Sequence, residues 1–195
     1  MLMKVRKEYD SLLKRFGPQN WWPAGTKYEV VVGAILTQNT SWKNVERALS
    51  SLRIKKALNE KRMLEIPLKE LEQLVHPSGY YRQKAERLKL ATRKWTELKN
   101  SAEDTMELRR KWLSVKGIGP ETADTILLYA MDRPVFVVDA YTRKFCKAVL
   151  GVELKNYEDY RLYFQKRLPV DLKLYREYHA LIVEWGKAVR NQAGP

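Results

Sequence analysis

The fold of this chain is decided by the segment LSVKGIGPETADTILLYAMDRPVFVVDAYTRKF, which runs from Leu113 to Phe145. A glycine-rich turn is followed by an apolar stretch that opens with Pro120, and the run PVFVV then leads into Asp139. Proline is favoured in the first turn of a helix, so residues 120–131 are predicted to be helical. The apolar run can be buried, but a charge is costly to bury without a partner. We therefore expect Asp139 to have a specific role.

The turn before this helix predicts a phosphate-binding hairpin. Gly117 and Gly119 flank Ile118, and glycine permits positive φ and close approach of a ligand to the backbone. A helix start offers unpaired N–H groups and a partial positive charge, to which Lys116 adds a full charge. Ile118 is expected to point inward and hold the turn against two helices. The alternative is an ordinary tight turn.

The composition indicates a partner of negative charge. The 195 residues carry a formal net charge of +14, and such a surplus attracts polyanions. Nucleic acid is the partner that this charge favours most. Ribosome-associated and membrane-surface proteins share the bias, so the charge alone leaves them as alternatives.

The sequence also limits the compartment and the cofactors. No run of about 18 consecutive apolar residues is present, so no membrane span is predicted. The charged N-terminal stretch lacks the apolar centre of a signal peptide. With one cysteine, Cys146, neither an intrachain disulfide nor a cysteine-ligated metal or iron–sulfur cluster can form. We expect a cytoplasmic protein with no membrane contact, no cofactor and no metal held by side chains.

The rest of the chain predicts an all-α fold. The stretch KYEVVVGAILTQ, residues 27–38, is ambiguous by periodicity, and we assign it to a buried helix because no second strand is available to pair with it. Short links containing Gly, Pro or Asn join the elements, as in helical domains. The other predicted helices span 3–15, 41–53, 67–75, 80–99, 104–114, 139–150, 156–168 and 171–190.

The hairpin and the motif VVDAYTRKF, at the spacing seen here, resemble the helix-hairpin-helix DNA glycosylases of the endonuclease III superfamily. The resemblance extends over nearly the whole chain. It implies a six-helix barrel lobe over 26–132 and a second lobe from 1–25 and 133–195, with the active-site cleft between them. In that family the hairpin backbone holds DNA phosphates, often with a monovalent cation at its carbonyls. By this resemblance, Glu121 and Thr122 after the hairpin are also expected to contact DNA.

Asp139 matches the catalytic aspartate of that family. Cleavage of an N-glycosidic bond passes through an oxocarbenium-like sugar, which a fixed carboxylate stabilises while it orients or deprotonates a water molecule. The alternative is a helix N-cap, and one residue can fill both roles. Glu121 occupies the position at which bifunctional members carry a Schiff-base lysine, and a carboxylate cannot form that imine. The resemblance therefore implies a monofunctional enzyme with little or no AP lyase activity.

The substrate is suggested by NWWPAGTKYEVVVGAILTQNTSW, HPSGYYRQKAERL and HALIVEWGK, which resemble the 3-methyladenine DNA glycosylases of this superfamily. Aromatic faces attract a cationic alkylated base, by about 0.5–2 kcal/mol per well-placed face. A lysine in such a pocket would repel the base unless it is neutral, modified or turned away. The resemblance places the base pocket at Trp21, Trp22, Pro23, Trp42 and Lys187. The alternative for the tryptophans is core packing, which we expect for Trp95, Trp112 and Trp185.

Other polar residues have two interpretations each. Gln38 and Asn39 either fill the gap left by a flipped base or cap the next helix. The basic loop 79–84 either contacts the DNA backbone or is simply solvated. His76 and His179 are too distant in sequence to suggest a catalytic pair and are expected to pack or to form hydrogen bonds.

The leading hypothesis is a monofunctional glycosylase that removes 3-methyladenine, with other alkylated purines as further candidate substrates, from double-stranded DNA, and we expect a monomer. A second interpretation is an endonuclease III-like glycosylase for oxidised or mismatched pyrimidines. Glu121 disfavours its lyase form, and the WWP and TQNTSW motifs disfavour pyrimidines. The third is a non-catalytic helix-hairpin-helix module that binds DNA, in which Asp139 would have no use facing phosphates.

Overall fold

The computed structural model describes residues 2–19 and 24–192, which contain helices and no strand. The predicted all-α fold is therefore confirmed. The α-helices are α1 (Leu2–Phe16), α2 (Lys27–Leu36), α3 (Trp42–Ile54), α4 (Glu60–Glu65), α5 (Leu68–Val75), α6 (Tyr81–Leu98), α7 (Thr105–Leu113), α8 (Pro120–Tyr129), α9 (Ala140–Phe145), α10 (Tyr157–Gln165) and α11 (Leu172–Gln192). A 3₁₀ turn, His76–Ser78, precedes α6, and a π-helical turn, Cys146–Leu150, extends α9.

The ambiguous stretch at 27–38 is a helix, as predicted. Thr26 caps α2 by accepting a hydrogen bond from the Glu29 N–H, and nine residues of α2 are buried. The helix that the sequence analysis missed is α4, EKRMLE, whose N-cap Asn59 accepts from the Arg62 N–H. Only Met63 of this helix is buried, so six residues give too little apolar periodicity to detect.

The chain divides into two compact units, Met1–Trp22 with Asp132–Pro195, and Pro23–Met131. In the second unit α6 packs against α2, α4 and α5, while α8 packs against α2 and α7. Trp95 and Trp112 are buried in this unit, as expected from the sequence. The description of this unit as a six-helix barrel, and of a cleft beside it, stays a prediction.

In the first unit α11 packs against α1 and α9. An aromatic cluster fills its core: the Phe136 and Phe164 rings stack 4.1 Å apart, and Tyr178 meets the Phe164 ring edge-on at 5.7 Å. The hydroxyl of Tyr178 donates to the Val5 carbonyl at 2.8 Å and so ties α11 to α1. The run before Asp139 is buried, so this core fixes the backbone from which α9 starts.

None of the helices described in residues 2–19 and 24–192 has the length and apolar character needed to cross a bilayer.

Candidate functional site

The hairpin lies between the end of α7 and the start of α8. Gly117 adopts φ +85°, and a Cβ added there would lie 2.3 Å from Nε of Arg87. Gly119 is the N-cap of α8 at φ −92° and has open space around it. Ile118 between them is 5% exposed, and its N–H donates to the Val115 carbonyl at 3.0 Å. The turn thus presents its backbone outward while one apolar side chain anchors it.

The side chains next to the hairpin differ in accessibility. Lys116 and Glu121 are exposed, and Glu121 lies in the first turn of α8. Thr122 is buried at 8% exposure. A helix start favours a carboxylate electrostatically, so Glu121 stabilises α8 whatever its role toward DNA.

Gln38 is bonded to the hairpin. Its Nε2 donates to the Gly117 carbonyl and to Thr122 Oγ1, both at 3.1 Å, and its Oε1 accepts from Arg87 Nη1 at 2.6 Å. Asn39 is exposed and adopts φ +52°. Neither residue caps α3, because the N-cap of that helix is Ser41. The capping alternative for Gln38 and Asn39 is therefore wrong.

The resemblance predicts a monovalent cation at the hairpin carbonyls. The Val115 carbonyl accepts the Ile118 N–H, and the Gly117 carbonyl accepts Gln38 Nε2. A carbonyl oxygen has two lone pairs, so each keeps one for a further partner, and oxygen donors suit a hard cation. The hairpin is chemically compatible with such a cation, which stays a prediction.

The two helices of the hairpin are joined by a buried ion pair that sequence analysis missed. Arg109 on α7 donates from Nε and Nη2 to the two carboxylate oxygens of Asp124 on α8, at 2.6 and 3.2 Å. The Asp124 side chain is 0% exposed. The bidentate pair therefore fixes the angle between α7 and α8, and with it the orientation of the hairpin.

Lys84 corrects the reading of the basic loop 79–84. Its side chain is fully buried, and its Nζ donates to the Leu36 carbonyl at 2.8 Å and to the Ser78 carbonyl at 2.6 Å. Burial, with the nearby Arg87 charge, lowers the pKa of Lys84 to about 8. Lys84 is therefore not a surface residue that contacts DNA. It braces the turn after α2 against the turn before α6. Its spacing four residues before buried Leu88 was the available signal.

Each braced turn ends in an exposed residue with positive φ. Asn39 follows the first turn, and Tyr80 follows the second at φ +47° with 62% of its surface exposed. Positive φ is strained for a residue with a bulky side chain, so the fold around it must impose this conformation. Sequence reasoning did not single out Tyr80 from its aromatic neighbour Tyr81.

Asp139 is the N-cap of α9. Its Oδ1 accepts from the N–H of Thr142 at 2.7 Å and from Thr142 Oγ1 at 2.9 Å. Its other oxygen, Oδ2, lies 3.5 Å from Nε2 of His179, and the Asp139 side chain is 17% exposed. Burial acts to raise the pKa of Asp139, but His179 and the Thr142 hydrogen bonds outweigh it and hold the pKa below its ordinary value. The predicted cap role is therefore present, and it occupies only one oxygen.

His179 is brought to Asp139 by the packing of α11 on α9. These helices pack closely at Gly186, where an added Cβ would lie 2.0 Å from the Tyr141 ring. His179 is 4% exposed. The expectation that His179 packs or forms hydrogen bonds did not identify Asp139 as its partner, whereas His76 packs with its ring 4.6 Å from that of Tyr81.

The residues assigned to the base pocket are only partly covered. Trp21, Trp22 and Pro23 lie outside the described residues. Trp42 is the first residue of α3, is half-buried, and donates from Nε1 to Glu46 Oε1 at 2.8 Å. Lys187 on α11 forms an ion pair with Glu184 at 2.6 Å.

A carboxylate partner for Lys187 is an arrangement that the sequence analysis did not consider. The Glu184 carboxylate offsets the charge of Lys187. The expectation from the sequence was a lysine that is neutral, modified or turned away from the base. Trp185, expected in the core, is half-buried and meets the Phe145 ring edge-on at 5.2 Å.

Known proteins are similar to this chain in sequence and in fold. A 3-methyladenine DNA glycosylase of H. pylori, crystallised with 1,N6-ethenoadenine, is 33% identical with a TM-score of 0.81, and the match covers 96% of this chain and 98% of that one. An endonuclease III trapped covalently on DNA matches at TM-score 0.80 and 18% identity over 96% of this chain and 87% of that one, which bears on the fold alone.

Sequence relatives agree with these structures. A Methanocaldococcus jannaschii protein described as a candidate DNA repair glycosylase is 50% identical over 189 residues, which are 92% of this chain and 86% of the relative. The sequence profile of the HhH-GPD superfamily of base excision DNA repair proteins matches residues 32–170. This match spans the hairpin and Asp139 and covers well over half of the chain. The chain therefore belongs to the HhH-GPD superfamily of base excision DNA repair proteins.

Proposed function

We propose that this protein is a monofunctional DNA glycosylase that hydrolyses the N-glycosidic bond of 3-methyladenine and related alkylated purines in double-stranded DNA. The observation that carries the proposal is the state of Asp139. Its pKa is held below the ordinary value, one oxygen is fixed by Thr142, and part of the side chain is exposed. An ionised carboxylate held in this way suits the stabilisation of a sugar cation.

The chemistry follows from the two oxygens of Asp139. Oδ1 is fixed by two hydrogen bonds, so the carboxylate cannot turn without losing both. Oδ2 then faces the anomeric carbon as the base leaves, stabilises the oxocarbenium-like sugar, and orients the water that attacks it. Since this oxygen needs no reorganisation during the reaction, its stabilisation of the transition state is preserved.

DNA binding is assigned to the hairpin and to the net charge. The N-terminus of α8 offers unpaired N–H groups and a partial positive charge to a phosphate, and Lys116 beside it is exposed. Contacts of this type fix the position of the protein on DNA without reading sequence. The turns ending in Asn39 and Tyr80 are proposed to fill the gap that the flipped base leaves, because both residues are exposed and held at positive φ.

Alkylated purine is the substrate class supported by two arguments. N3-alkylation makes adenine cationic and a good leaving group, and the aromatic residues Trp21, Trp22 and Trp42 assigned to the pocket would attract that charge. The H. pylori glycosylase, 33% identical over nearly its whole length, carries 3-methyladenine in its name. A damaged base is also weakly paired, which lowers the cost of flipping.

The test is to identify the bases released from methylated duplex DNA by mass spectrometry. We expect rapid release of 3-methyladenine by the parent protein and release about 10²–10³-fold slower by Asp139→Asn. Release of oxidised or mismatched pyrimidines instead would replace the proposal with an endonuclease III-like activity. Binding without release of any base would indicate a DNA-binding module.

Borohydride trapping on DNA with an abasic site tests the monofunctional assignment. Because Glu121 cannot form an imine, the parent protein is expected to give no covalent adduct. Glu121→Gln, which also cannot form one, is the matched control. A parent adduct in substantial yield would show that another amine in the chain acts as a lyase nucleophile.

A further inference from the structure

We infer that His179 is a positioning residue for Asp139, which holds Oδ2 in its reactive orientation and favours the ionised carboxylate. The inference rests on the proposed role of Asp139 in glycosylase chemistry. The two oxygens of Asp139 have different partners: Thr142 donates a hydrogen bond to Oδ1, and the imidazole Nε2 of His179 lies 3.5 Å from Oδ2.

Burial decides how His179 can act. Its side chain is 5% exposed, whereas that of Asp139 is 17% exposed. A substrate therefore reaches the carboxylate but not the imidazole, so His179 cannot itself protonate a leaving base or activate water. Any effect of His179 on the reaction passes through Asp139, which defines a positioning role.

The fold keeps the two groups together. Asp139 starts α9, and His179 lies on α11, whose close approach to α9 depends on Gly186 against the Tyr141 ring. Neighbouring Tyr178 anchors the same turn of α11 through its bond to the Val5 carbonyl. The contacts of Gly186 and Tyr178 thus fix the backbone of α11 near His179, so the imidazole has little freedom to move away from Oδ2.

Several other charged groups on α9 and α11 contact groups other than Oδ2. On α11, Glu184 pairs with Lys187 and Arg176 with Asp132. On α9, the Arg143 guanidinium lies 4.9 Å from the centre of the Tyr160 ring.

The π-helical turn next to α9 contributes Cys146, whose pKa burial raises to about 12, and Lys147, which pairs with Glu153. His179 is the ionisable side chain whose contact with Oδ2 the structure shows, at 3.5 Å, and its electrostatic effect lowers the pKa of Asp139. A carboxylate with a lowered pKa stays ionised, and therefore active, to lower pH.

The experiment compares His179→Leu and His179→Gln with the parent. Single-turnover release of 3-methyladenine from duplex DNA is measured from acidic to neutral pH. Because the alkylated base is already cationic, the acid limb of this profile reports Asp139. We expect His179→Leu to move the acid limb to higher pH and to slow release at neutral pH on the order of 10- to 100-fold. His179→Gln, which keeps an N–H donor, should recover part of the rate.

The matched control is His76→Gln, since the chain has two histidines and His76 packs on the ring of Tyr81. It should leave both the rate and the acid limb unchanged. Affinity for duplex DNA with an abasic-site analogue should be the same for all variants, because His179 acts on the chemical step. An acid limb that stays in place in His179→Leu, or a loss seen only in DNA affinity, would overturn the inference.

A second measurement separates this inference from the proposed function. Carboxyl ¹³C NMR titration gives the pKa of Asp139 in folded protein without substrate, and it also detects variants that fail to fold. We expect a higher Asp139 pKa in His179→Leu than in the parent. If the parent releases no alkylated base but this pKa still rises, the proposed function fails and the His179–Asp139 coupling stands. An unchanged pKa in a folded variant refutes the coupling whatever the activity.

Discussion

Asp124 and Asp139 are two carboxylates in helical surroundings with opposite accessibility. Asp124 is 0% exposed, and both of its oxygens are bonded to Arg109. Asp139 is 17% exposed, with Oδ1 held by Thr142 and Oδ2 at 3.5 Å from His179. A carboxylate with both oxygens in short hydrogen bonds to one arginine joins helices, whereas Asp139, with only Oδ1 in short hydrogen bonds, keeps Oδ2 available for chemistry beside the more distant His179.

The difference has an energetic reason. A fully buried charge requires a partner at short distance, because desolvation is otherwise uncompensated. Arg109 supplies this with a planar fork that matches both oxygens of Asp124. The longer contact of His179 leaves Oδ2 less engaged, and the remaining exposure of Asp139 lets water or a substrate complete its solvation.

The largest expected effect comes from breaking the buried ion pair between Arg109 and Asp124. Arg109→Met removes the bidentate guanidinium from the buried Asp124 charge and should lower the free energy of unfolding by about 3–5 kcal/mol. Urea denaturation followed by circular dichroism measures this loss. The double variant Arg109→Met with Asp124→Leu removes both charges and should recover most of the stability. If it is as unstable as the single variant, packing rather than charge explains the loss.

Removing the charge of the partly exposed Asp139 should lower the rate of base release and leave the fold intact. Asp139→Asn keeps an oxygen that can cap α9 but removes the negative charge, so single-turnover base release should fall about 10²–10³-fold. The midpoint of thermal unfolding should change by no more than a few degrees. Thr142→Val is the complementary change, because it removes the Oγ1 bond to Oδ1 while the charge remains. If Asp139→Asn released the base as fast as the parent, the claim that the partly exposed carboxylate carries the chemistry would be wrong.

Lys84 extends the comparison of Asp124 with Asp139 to a buried cation, whose partners are carbonyls instead of a carboxylate. Lys84→Met leaves the Leu36 and Ser78 carbonyls without this donor and should destabilise the fold by about 1–3 kcal/mol. Since the folded-state pKa is lowered to about 8 from an ordinary 10.5, the unfolded chain binds more protons between these values. The parent therefore gains stability over Lys84→Met as pH rises from 8 to 10.5.

Denaturation of both proteins at several pH values checks the Lys84 prediction. A neutral amine still has two N–H groups for the two carbonyls, so the brace survives deprotonation. A stability difference between parent and Lys84→Met that shrinks above pH 8 would contradict the burial argument.

The smallest effect is expected at the hairpin, where the backbone rather than a side chain carries the role. Gly117→Ala places a Cβ at φ +85° against Arg87 and should cost about 1–2 kcal/mol of stability. Gly119→Ala is the matched control, since its φ of −92° suits any residue and the space is open. Fluorescence anisotropy with duplex DNA should show weaker binding for Gly117→Ala. Equal stability losses in both variants would remove the special role of Gly117.

The local features of the molecule were predictable because they depend on neighbours in the chain. The hairpin at Gly117 and the start of α8 at Pro120 follow from turn chemistry and first-turn preference. The buried helix α2 is ambiguous by apolar spacing, and its assignment rested on the lack of a second strand to pair with it. Asp139 as a helix cap is likewise a local property. The short helix α4 was missed because only one of its residues is buried.

The residue pattern alone indicated an all-helical chain, a glycine hairpin before α8, and an acid at the start of α9. The packing of the helices established which distant residues meet these features: Gln38 at the hairpin, Arg109 at Asp124, and His179 at Asp139. It also decided that Lys84 is a buried brace and not a surface charge. Helices form from contacts within a few residues, whereas such pairings depend on how helices pack, which local periodicity does not encode.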